Sequence, residues 1–166
     1  MSNVIDIVSN GEYPANVLSN FYPNEFVIDG VHCASMEGFL QSLKTKNKEK
    51  QKYVCSLSEK EAKNVFRHRF DNLRWKITGV LYWNGQKFRR TEPQYQALLD
   101  RAYSELAKNK TFSEALLTTG DAILCHSIGK SNPRFTVLTE KEFIDRLIYL
   151  RNHFHKTEDE LHGRIR

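Results

Sequence analysis

The segment from Ser35 to Lys44 has the apolar spacing of a helix that covers a hydrophobic core. With successive residues about 100° apart, its apolar side chains fall within one arc of about 100°. These side chains are Met36, Phe39, Leu40 and Leu43. Ser35 stands directly before the first of them and is a typical helix N-cap. We therefore predict a helix that begins after Ser35 and packs one face on the core.

Further helix starts are marked by the S/T-x-x-E/Q pattern of a capping box, in which the two side chains bond each other's backbone N–H groups. We assign four helix starts to this pattern, at Ser58–Glu61, Thr91–Gln94, Thr111–Glu114 and Thr139–Glu142. After the last of these, residues 141–154 carry apolar side chains at helical spacing, namely Phe143, Leu147, Leu150 and Phe154. The chain should therefore be rich in helix.

Strand signals are few and short. Residues 26–32 contain Asp29-Gly30 and residues 82–88 contain Asn84-Gly85, two dipeptides typical of type I′ hairpin turns. A third extended piece is expected at Ala122–His126. Short hairpins among several helices predict an α+β fold rather than a doubly wound sheet. We expect a single domain over residues 3–155, followed by a charged C-terminal tail over residues 156–166.

Length and composition agree with one globular domain. The chain has 166 residues, 40% of them hydrophobic, which is enough for a core. Its apolar runs are far shorter than the ~20 residues that span a bilayer, so no membrane association is expected. The first ten residues lack the basic and apolar regions of a secretory signal. Three cysteines without a CxxC motif predict a reducing, cytoplasmic environment.

The formal net charge of +5 fits either a lysine-rich surface or attraction to a phosphorylated ligand or polyanion. The basic stretch from Lys44 to Arg69 has the same two interpretations. The sequence lacks G-x-G-x-x-G and G-x-x-x-x-G-K-[ST], so we expect no dinucleotide cofactor. His32-Cys33 and Cys125-His126 are strand neighbours that point to opposite faces, so we expect no metal site either.

A polar stripe lies beside the apolar arc of the first predicted helix. Glu37, Gln41 and Lys44 fall within about 60° of one another and span about 10 Å along the helix axis. Periodicity alone fits an ordinary solvated stripe worth a few tenths of a kcal/mol. A carboxylate at the boundary of a core is, however, where burial raises the pKa toward that of a general acid or base.

The sequence resembles the NADAR (YbiA-like) family in two motifs that occur in order. The first is Leu18-Ser19-Asn20-Phe21-Tyr22-Pro23, and the second runs from Ser35-Met36-Glu37 through Gln41 to Lys44. Further matches are Phe26, Asp29-Gly30, Tyr82-Trp83-Asn84-Gly85, Leu99-Asp100-Arg101-Ala102-Tyr103, Thr119-Gly120-Asp121-Ala122, His126-Ser127-Ile128-Gly129-Lys130, Arg146 and Arg151. The resemblance therefore extends from about residue 16 to 154.

This resemblance implies a YbiA-like fold and an N-glycosidase that cleaves a ribose C1–N bond. Family members remove ADP-ribose from guanine in nucleic acid or cleave phosphorylated ribosylamine intermediates of riboflavin synthesis. Carried over to this chain, Glu37 and Lys44 are the expected catalytic residues. Lys44 has three possible roles: proton donor, phosphate ligand or imine-forming nucleophile. The expected substrate-binding residues in these motifs are Asn20, Phe21, Ser35 and Gln41.

The chain departs from the family pattern in one late segment. Many members have D-x-x-W-G, whereas this chain has His126-Ser127-Ile128-Gly129-Lys130 in the corresponding region. We expect His126, Gly129 and Lys130 to contact the substrate there, with the glycine allowing close backbone approach. Trp83 is a further expected contact, either stacking on a base or packing in the hairpin.

Three functions remain open from the sequence. The first is removal of ADP-ribose from ADP-ribosylated guanine in DNA or RNA, or from a related conjugate. The second is hydrolysis of small ribosylamine phosphates. The third is a non-enzymatic module that binds ADP-ribose or nucleic acid. All three predict a phosphorylated or nucleic-acid partner.

Overall fold

The computed structural model describes residues 3–66 and 70–163, which form eight helices and six short strands. The helices are α1 (Ala15–Leu18), α2 (Met36–Ser42), α3 (Lys48–Cys55), α4 (Glu59–Asn64), α5 (Phe70–Thr78), α6 (Pro93–Leu106), α7 (Lys110–Thr118) and α8 (Glu140–Gly163). The strands are β1 (Val4–Asp6), β2 (Phe26–Ile28), β3 (Val31–Cys33), β4 (Val80–Trp83), β5 (Gln86–Arg89) and β6 (Ile123–Cys125). The predicted helix-rich α+β class is confirmed.

The six strands form three separate two-stranded sheets. Strands β2 and β3 pair antiparallel around Asp29-Gly30, and β4 and β5 pair antiparallel around Asn84-Gly85. All four turn residues have positive φ, at 49° and 76° in the first turn and 47° and 86° in the second. This is the backbone that a type I′ turn requires, so both predicted hairpins are confirmed.

The third sheet joins the N-terminal strand to a strand late in the chain. Strand β6 lies within the predicted extended piece and pairs parallel with β1, with Val4 opposite Ile123. The pairing partner was not predicted, because it lies more than a hundred residues away. The sheet brings the segment after β6 next to the segment after β1, and both segments contribute to the cleft described below.

Two predicted helix starts have the expected capping bonds. The Ser35 hydroxyl accepts a hydrogen bond from the Gly38 N–H at 3.1 Å, so α2 begins as predicted. At α8, the Glu142 N–H donates to the Thr139 hydroxyl at 3.1 Å, and the Thr139 N–H donates to the Glu142 carboxylate at 2.7 Å. This reciprocal pair is a complete capping box.

The other three capping predictions need correction. Asn109, two residues before Thr111, caps α7, because its side chain accepts a hydrogen bond from the Phe112 N–H. Helix α6 begins at Pro93, whose ring presets the backbone, and Glu92 stands at the cap without a side-chain bond. Ser58 is at the cap of α4 but makes no capping bond there.

Helix α2 lies in the core and packs closely on the C-terminal end of α3. A Cβ atom at Gly38 would lie 2.6 Å from the Leu57 carbonyl oxygen and 3.0 Å from that of Val54. Only glycine allows this approach. Beyond α2, the Gln51 side chain donates at 2.8 Å to the carbonyls of both Thr45 and Tyr82, which ties this segment to β4. The polar stripe of α2 is therefore held on a rigid support.

The last helix extends beyond its predicted end. Helix α8 continues through Gly163, so residues 156–163 of the predicted tail are helical, while residues 164–166 lie outside the described residues. Three of the four apolar residues predicted to face the core from α8 are buried, and Phe154 is partly buried against them.

Candidate active site

A cleft of about 650 Å³ opens along the polar edge of α2. It is bounded by the turn at residues 19–21, helices α4 and α5, the loop after β6 and the start of α8. Eight of the ten predicted site residues line it, namely Asn20, Phe21, Glu37, Gln41, Lys44, His126, Gly129 and Lys130. The structure therefore brings together two motifs that are about ninety residues apart in sequence.

Glu37 is a carboxylate buried at the inner edge of this cleft. Only 8% of its surface is exposed, and its Oε1 accepts a hydrogen bond from Gln41 Nε2 at 2.8 Å. Burial raises its pKa above the ordinary value, while the Gln41 hydrogen bond and the charges of Lys44 and Lys63 partly oppose that shift. A carboxylate whose pKa is raised in this way is a stronger base than an exposed one and suits general acid–base work.

Gln41 orients Glu37 and presents a free acceptor. Its amide nitrogen bonds the carboxylate, whereas its carbonyl Oε1 is buried without a hydrogen-bond partner among the described residues. An unsatisfied buried acceptor costs about 1–3 kcal/mol. A hydroxyl or N–H group of a ligand in the cleft would satisfy this acceptor.

Lys44 is the third buried polar group, just past the end of α2. It is 9% exposed, and its Nζ donates to Asn72 Oδ1 at 3.1 Å and lies 5.9 Å from the centre of the Trp75 ring. Burial lowers the pKa of Lys44 to about 8, with Glu37 opposing the shift and Lys76 and Lys130 adding to it. Its ammonium group can therefore release a proton much more readily than that of an exposed lysine.

Helix α5 supplies cleft residues that sequence reasoning missed. Asn72 Oδ1 accepts from Trp75 Nε1 at 3.1 Å as well as from Lys44, so one amide oxygen holds both side chains. Trp75, rather than Trp83, is the tryptophan that lines the cleft. The sequence signal was the helical spacing of Asn72 and Trp75, which place both side chains on one face.

The turn at residues 19–21 is fixed to α2 through its backbone. The Glu37 N–H donates to the Asn20 carbonyl at 2.9 Å, and the Asn20 side chain accepts from the Tyr103 hydroxyl at 2.7 Å. The Phe21 ring lies 5.2 Å from the Lys63 ammonium. Asn20 and Phe21 are therefore held at the same end of the cleft as Glu37.

The loop after β6 is held by three anchors. His126 Nδ1 lies 2.6 Å from the Ile7 carbonyl oxygen, and because a carbonyl can only accept, Nδ1 is the donor in this bond. A Cβ at Gly129 would lie 2.7 Å from His126 Cδ2 and 2.8 Å from Glu140 Cβ, so the close packing there requires glycine. The Glu140 N–H donates to the Lys130 carbonyl at 2.9 Å, which joins the loop to α8.

Two predicted contacts do not lie at the cleft. Ser35 is fully buried as the α2 cap and also donates to the Leu57 carbonyl at 3.4 Å. Trp83 is 2% exposed, stacks edge-on with Phe39 at 4.9 Å and donates through Nε1 to Asp29 at 2.7 Å. Ser35 therefore serves as a helix cap, and Trp83 has the packing role that the sequence had left open beside base stacking.

The cleft is strongly cationic. Its lining contains Lys44, Lys60, Lys63, Lys76 and Lys130, and Glu37 as the one lining acid among the described residues. Lysines of the predicted basic stretch thus reach the cleft, while Arg67 and Arg69 lie outside the described residues. Over residues 3–66 and 70–163, no cluster of three His, Cys, Asp or Glu side chains is arranged to hold a metal ion. Within the same ranges, every helix is too short or too polar to cross a membrane.

Comparison with known proteins gives one family match and two similar proteins. The model of the family described as "Bacteriophage protein GP30.3" matches residues 12–152. An uncharacterized 17.1 kDa protein from the Gp30-rIII intergenic region of Enterobacteria phage T4 is 39% identical over 150 residues, covering 89% of this chain and 97% of that protein. The NMR structure of E. coli YbiA superposes with a TM-score of 0.57 at 13% identity, covering 96% of this chain and 89% of YbiA. The last likeness establishes the YbiA-like fold.

Proposed function

Because the chain belongs to the bacteriophage GP30.3 family and has the fold of YbiA, we propose that it is an N-glycosidase that hydrolyses a ribose C1–N bond. The preferred substrate is ADP-ribosylated guanine in nucleic acid. One observation carries this proposal: Glu37 is buried at the edge of a cationic cleft, bonded to Gln41, with Lys44 lining the same cleft.

The reaction breaks the C1–N bond and forms a C1–O bond from water. The bonding electron pair leaves with the nitrogen, and positive charge develops on C1 and the ring oxygen. The Glu37 carboxylate stabilises that charge and accepts a proton from the attacking water. The departing nitrogen takes a proton from Lys44, and solvent returns the proton from Glu37 to Lys44. The products are ADP-ribose and the unmodified base.

The surroundings of both groups suit these roles. Burial makes Glu37 a stronger base than an exposed carboxylate, and the Gln41 bond keeps one of its oxygens oriented. With a pKa of about 8, Lys44 is largely protonated at pH 7 and gives up its proton readily. Asn72 and the face of Trp75 both favour the ammonium form.

The size and charge of the cleft favour an ADP-ribose conjugate. Small-molecule sites are typically about 300–1,000 Å³, and a volume of about 650 Å³ lies within that range and leaves room for an ADP-ribose group. Lys60, Lys63 and Lys130 match the two charges of a pyrophosphate. The free Gln41 carbonyl oxygen suits a ribose hydroxyl.

The decisive experiment is incubation with guanine-ADP-ribosylated DNA, followed by mass analysis of the products. We expect free ADP-ribose and intact unmodified DNA, and at least a hundredfold lower rate for Glu37→Gln. Glu114→Gln, an exposed change on α7, is the matched control. A homologue with established N-glycosidase activity serves as the positive control, and unchanged DNA beside an active homologue would refute the preferred substrate.

Two parallel assays separate the competing functions. Hydrolysis of a ribosylamine phosphate alone would assign the cleft to that small substrate. Equal ADP-ribose binding by wild type and Glu37→Gln, with no turnover of either substrate, would assign a binding module. A covalent adduct after borohydride treatment would make Lys44 an imine-forming nucleophile instead of a proton donor.

A further inference from the structure

A second cavity of about 420 Å³ adjoins the first. The two share Trp75, Lys76 and Phe135 in their walls. The rest of the second cavity is formed by the end of α5, by the open end of the β4–β5 hairpin opposite its turn, and by the segment at Pro133 and Arg134. The two cavities are therefore neighbours, and Phe135 lies in the wall of both.

The lining of the second cavity is cationic and, within the described residues, contains no acid. Its charged residues are Lys76, Arg89, Arg90 and Arg134. Arg90 is already engaged, since it binds Glu142 through two bonds of 2.9 and 2.7 Å. Arg89 forms an exposed ion pair with Glu92, with 3.6 Å between Nε and Oε1. Lys76 and Arg134 make no ion pair within residues 3–66 and 70–163, so both can bind an anion.

Phe135 is an exposed aromatic side chain at the junction of the two cavities. It is 56% exposed, although burial of its ring would be favourable. The backbone beneath it is fixed, because its N–H donates to the Asn132 carbonyl at 3.1 Å and Arg90 donates to the Thr136 carbonyl at 2.9 Å. An exposed ring on a fixed backbone, beside cations that form no ion pair among the described residues, is a stacking surface with phosphate-binding groups around it.

We infer that the second cavity binds the single strand of nucleic acid that continues from the modified nucleotide, with a neighbouring base stacked on Phe135 and its phosphates near Lys76 and Arg134. Every nucleotide of a single strand offers one aromatic face and one negative charge, and this cavity matches both. A free phosphate has no aromatic face that could stack on the exposed ring. The inference rests on the proposed function, which places the modified nucleotide in the first cavity.

The test measures binding of unmodified single-stranded DNA of increasing length to the full chain at several salt concentrations, by fluorescence anisotropy. We expect affinity to rise from a mononucleotide to a short strand. Phe135→Ala should weaken strand binding about tenfold, as expected for loss of one stacked base. Arg134→Gln should reduce the slope of log affinity against log salt by about 0.7, the value for one lost single-strand phosphate contact.

Lys110→Gln is the matched control, because Lys110 is highly exposed on α7 and lines neither cavity. Phe135→Trp preserves an aromatic face and should restore strand binding, which separates stacking from misfolding. Strands that bind no better than a mononucleotide would overturn the inference. The inference would also be overturned if Arg134→Gln weakened the binding of free ADP-ribose as much as the binding of the strand, since the cavity would then bind the pyrophosphate.

Turnover distinguishes this inference from the proposed function. Phe135→Ala and Arg134→Gln should lower kcat/KM on an ADP-ribosylated oligonucleotide by about tenfold more than on an ADP-ribosylated mononucleoside. Equal losses of kcat/KM on both substrates would overturn the inference but would leave the proposed N-glycosidase activity unaffected. If these variants weaken strand binding as expected but the wild type cleaves neither substrate, the proposed function is refuted and the strand-binding cavity is retained.

Discussion

The Tyr103 hydroxyl donates a 2.7 Å hydrogen bond to the side-chain oxygen of Asn20, across 83 positions of sequence. Tyr103 is buried on α6, and burial raises the pKa of its phenol above the ordinary value, so the hydroxyl stays a donor. This bond occupies the oxygen of the Asn20 amide. The NH₂ group of the amide is therefore the part that can bind a ligand in the cleft. Tyr103 therefore acts as a positioning residue for Asn20.

Tyr103→Phe should raise KM more than it lowers kcat. The ring still fills the core, but the Asn20 amide can rotate, and loss of one hydrogen bond of about 1 kcal/mol corresponds to roughly fivefold. Steady-state kinetics on the ADP-ribosylated substrate measure this split. Tyr149→Phe, at an exposed position on α8, is the control. An unchanged KM would show that Asn20 does not depend on this bond.

The pH profile of kcat/KM should be bell-shaped. The rate should fall on the acid side as Glu37 gains a proton, at a higher pH than for an exposed glutamate because burial raises its pKa. It should fall again above about pH 8 as Lys44 loses its proton. Rates from pH 4 to 11 test both limbs. An alkaline limb near pH 10 would argue against Lys44 as the proton donor.

Lys44→Met should stabilise the protein at pH 7 and much less above pH 10. The folded pKa of Lys44, about 8, lies below its ordinary value of 10.5. Between these values the unfolded chain binds more protons, so this residue's contribution to stability rises with pH. Below pH 8, burial of the charged Lys44 lowers the free energy of unfolding by up to about 3 kcal/mol. Lys44→Met removes this penalty but also loses the bond to Asn72, so the measured gain in stability should be smaller.

Urea denaturation at pH 7 and at pH 10.5 measures this difference between variant and wild type. Lys110→Met, at an exposed position, should show no pH-dependent difference. A Lys44→Met variant that is less stable than wild type at pH 7 would mean that the contacts with Asn72 and Trp75 outweigh the burial penalty.

Gly38→Ala should destabilise the fold by about 1–3 kcal/mol. The new methyl group would lie 2.6 Å from a backbone oxygen of Leu57, and backbone cannot move aside as a flexible side chain can. Helix α2 would shift and carry Glu37 with it, so activity should fall together with the melting temperature. Ser104→Ala on the exposed face of α6 is the control. An unchanged melting temperature would show that α2 and α3 can separate without cost.

Local patterns in the sequence determined several elements of this protein. The apolar arc of α2, the Ser35 cap and the turns at Asp29-Gly30 and Asn84-Gly85 are all as predicted. Each depends on residues within about four positions of one another, so periodicity and turn chemistry suffice. The same periodicity placed Glu37, Gln41 and Lys44 on one edge, and the motif resemblance suggested their role.

Tertiary structure decided which side chains meet at the cleft. Helical spacing puts Trp75 on one face with Asn72, but it does not indicate that Trp75 lines the cleft while Trp83 packs against Phe39 in the core. The bond between Tyr103 and Asn20 and the pairing of β1 with β6 likewise join distant segments. Burial, and with it the shifted pKa values of Glu37 and Lys44, arises only when several elements close around one point. A single stretch of sequence specifies its own helix or turn, but not the surroundings that set its chemistry.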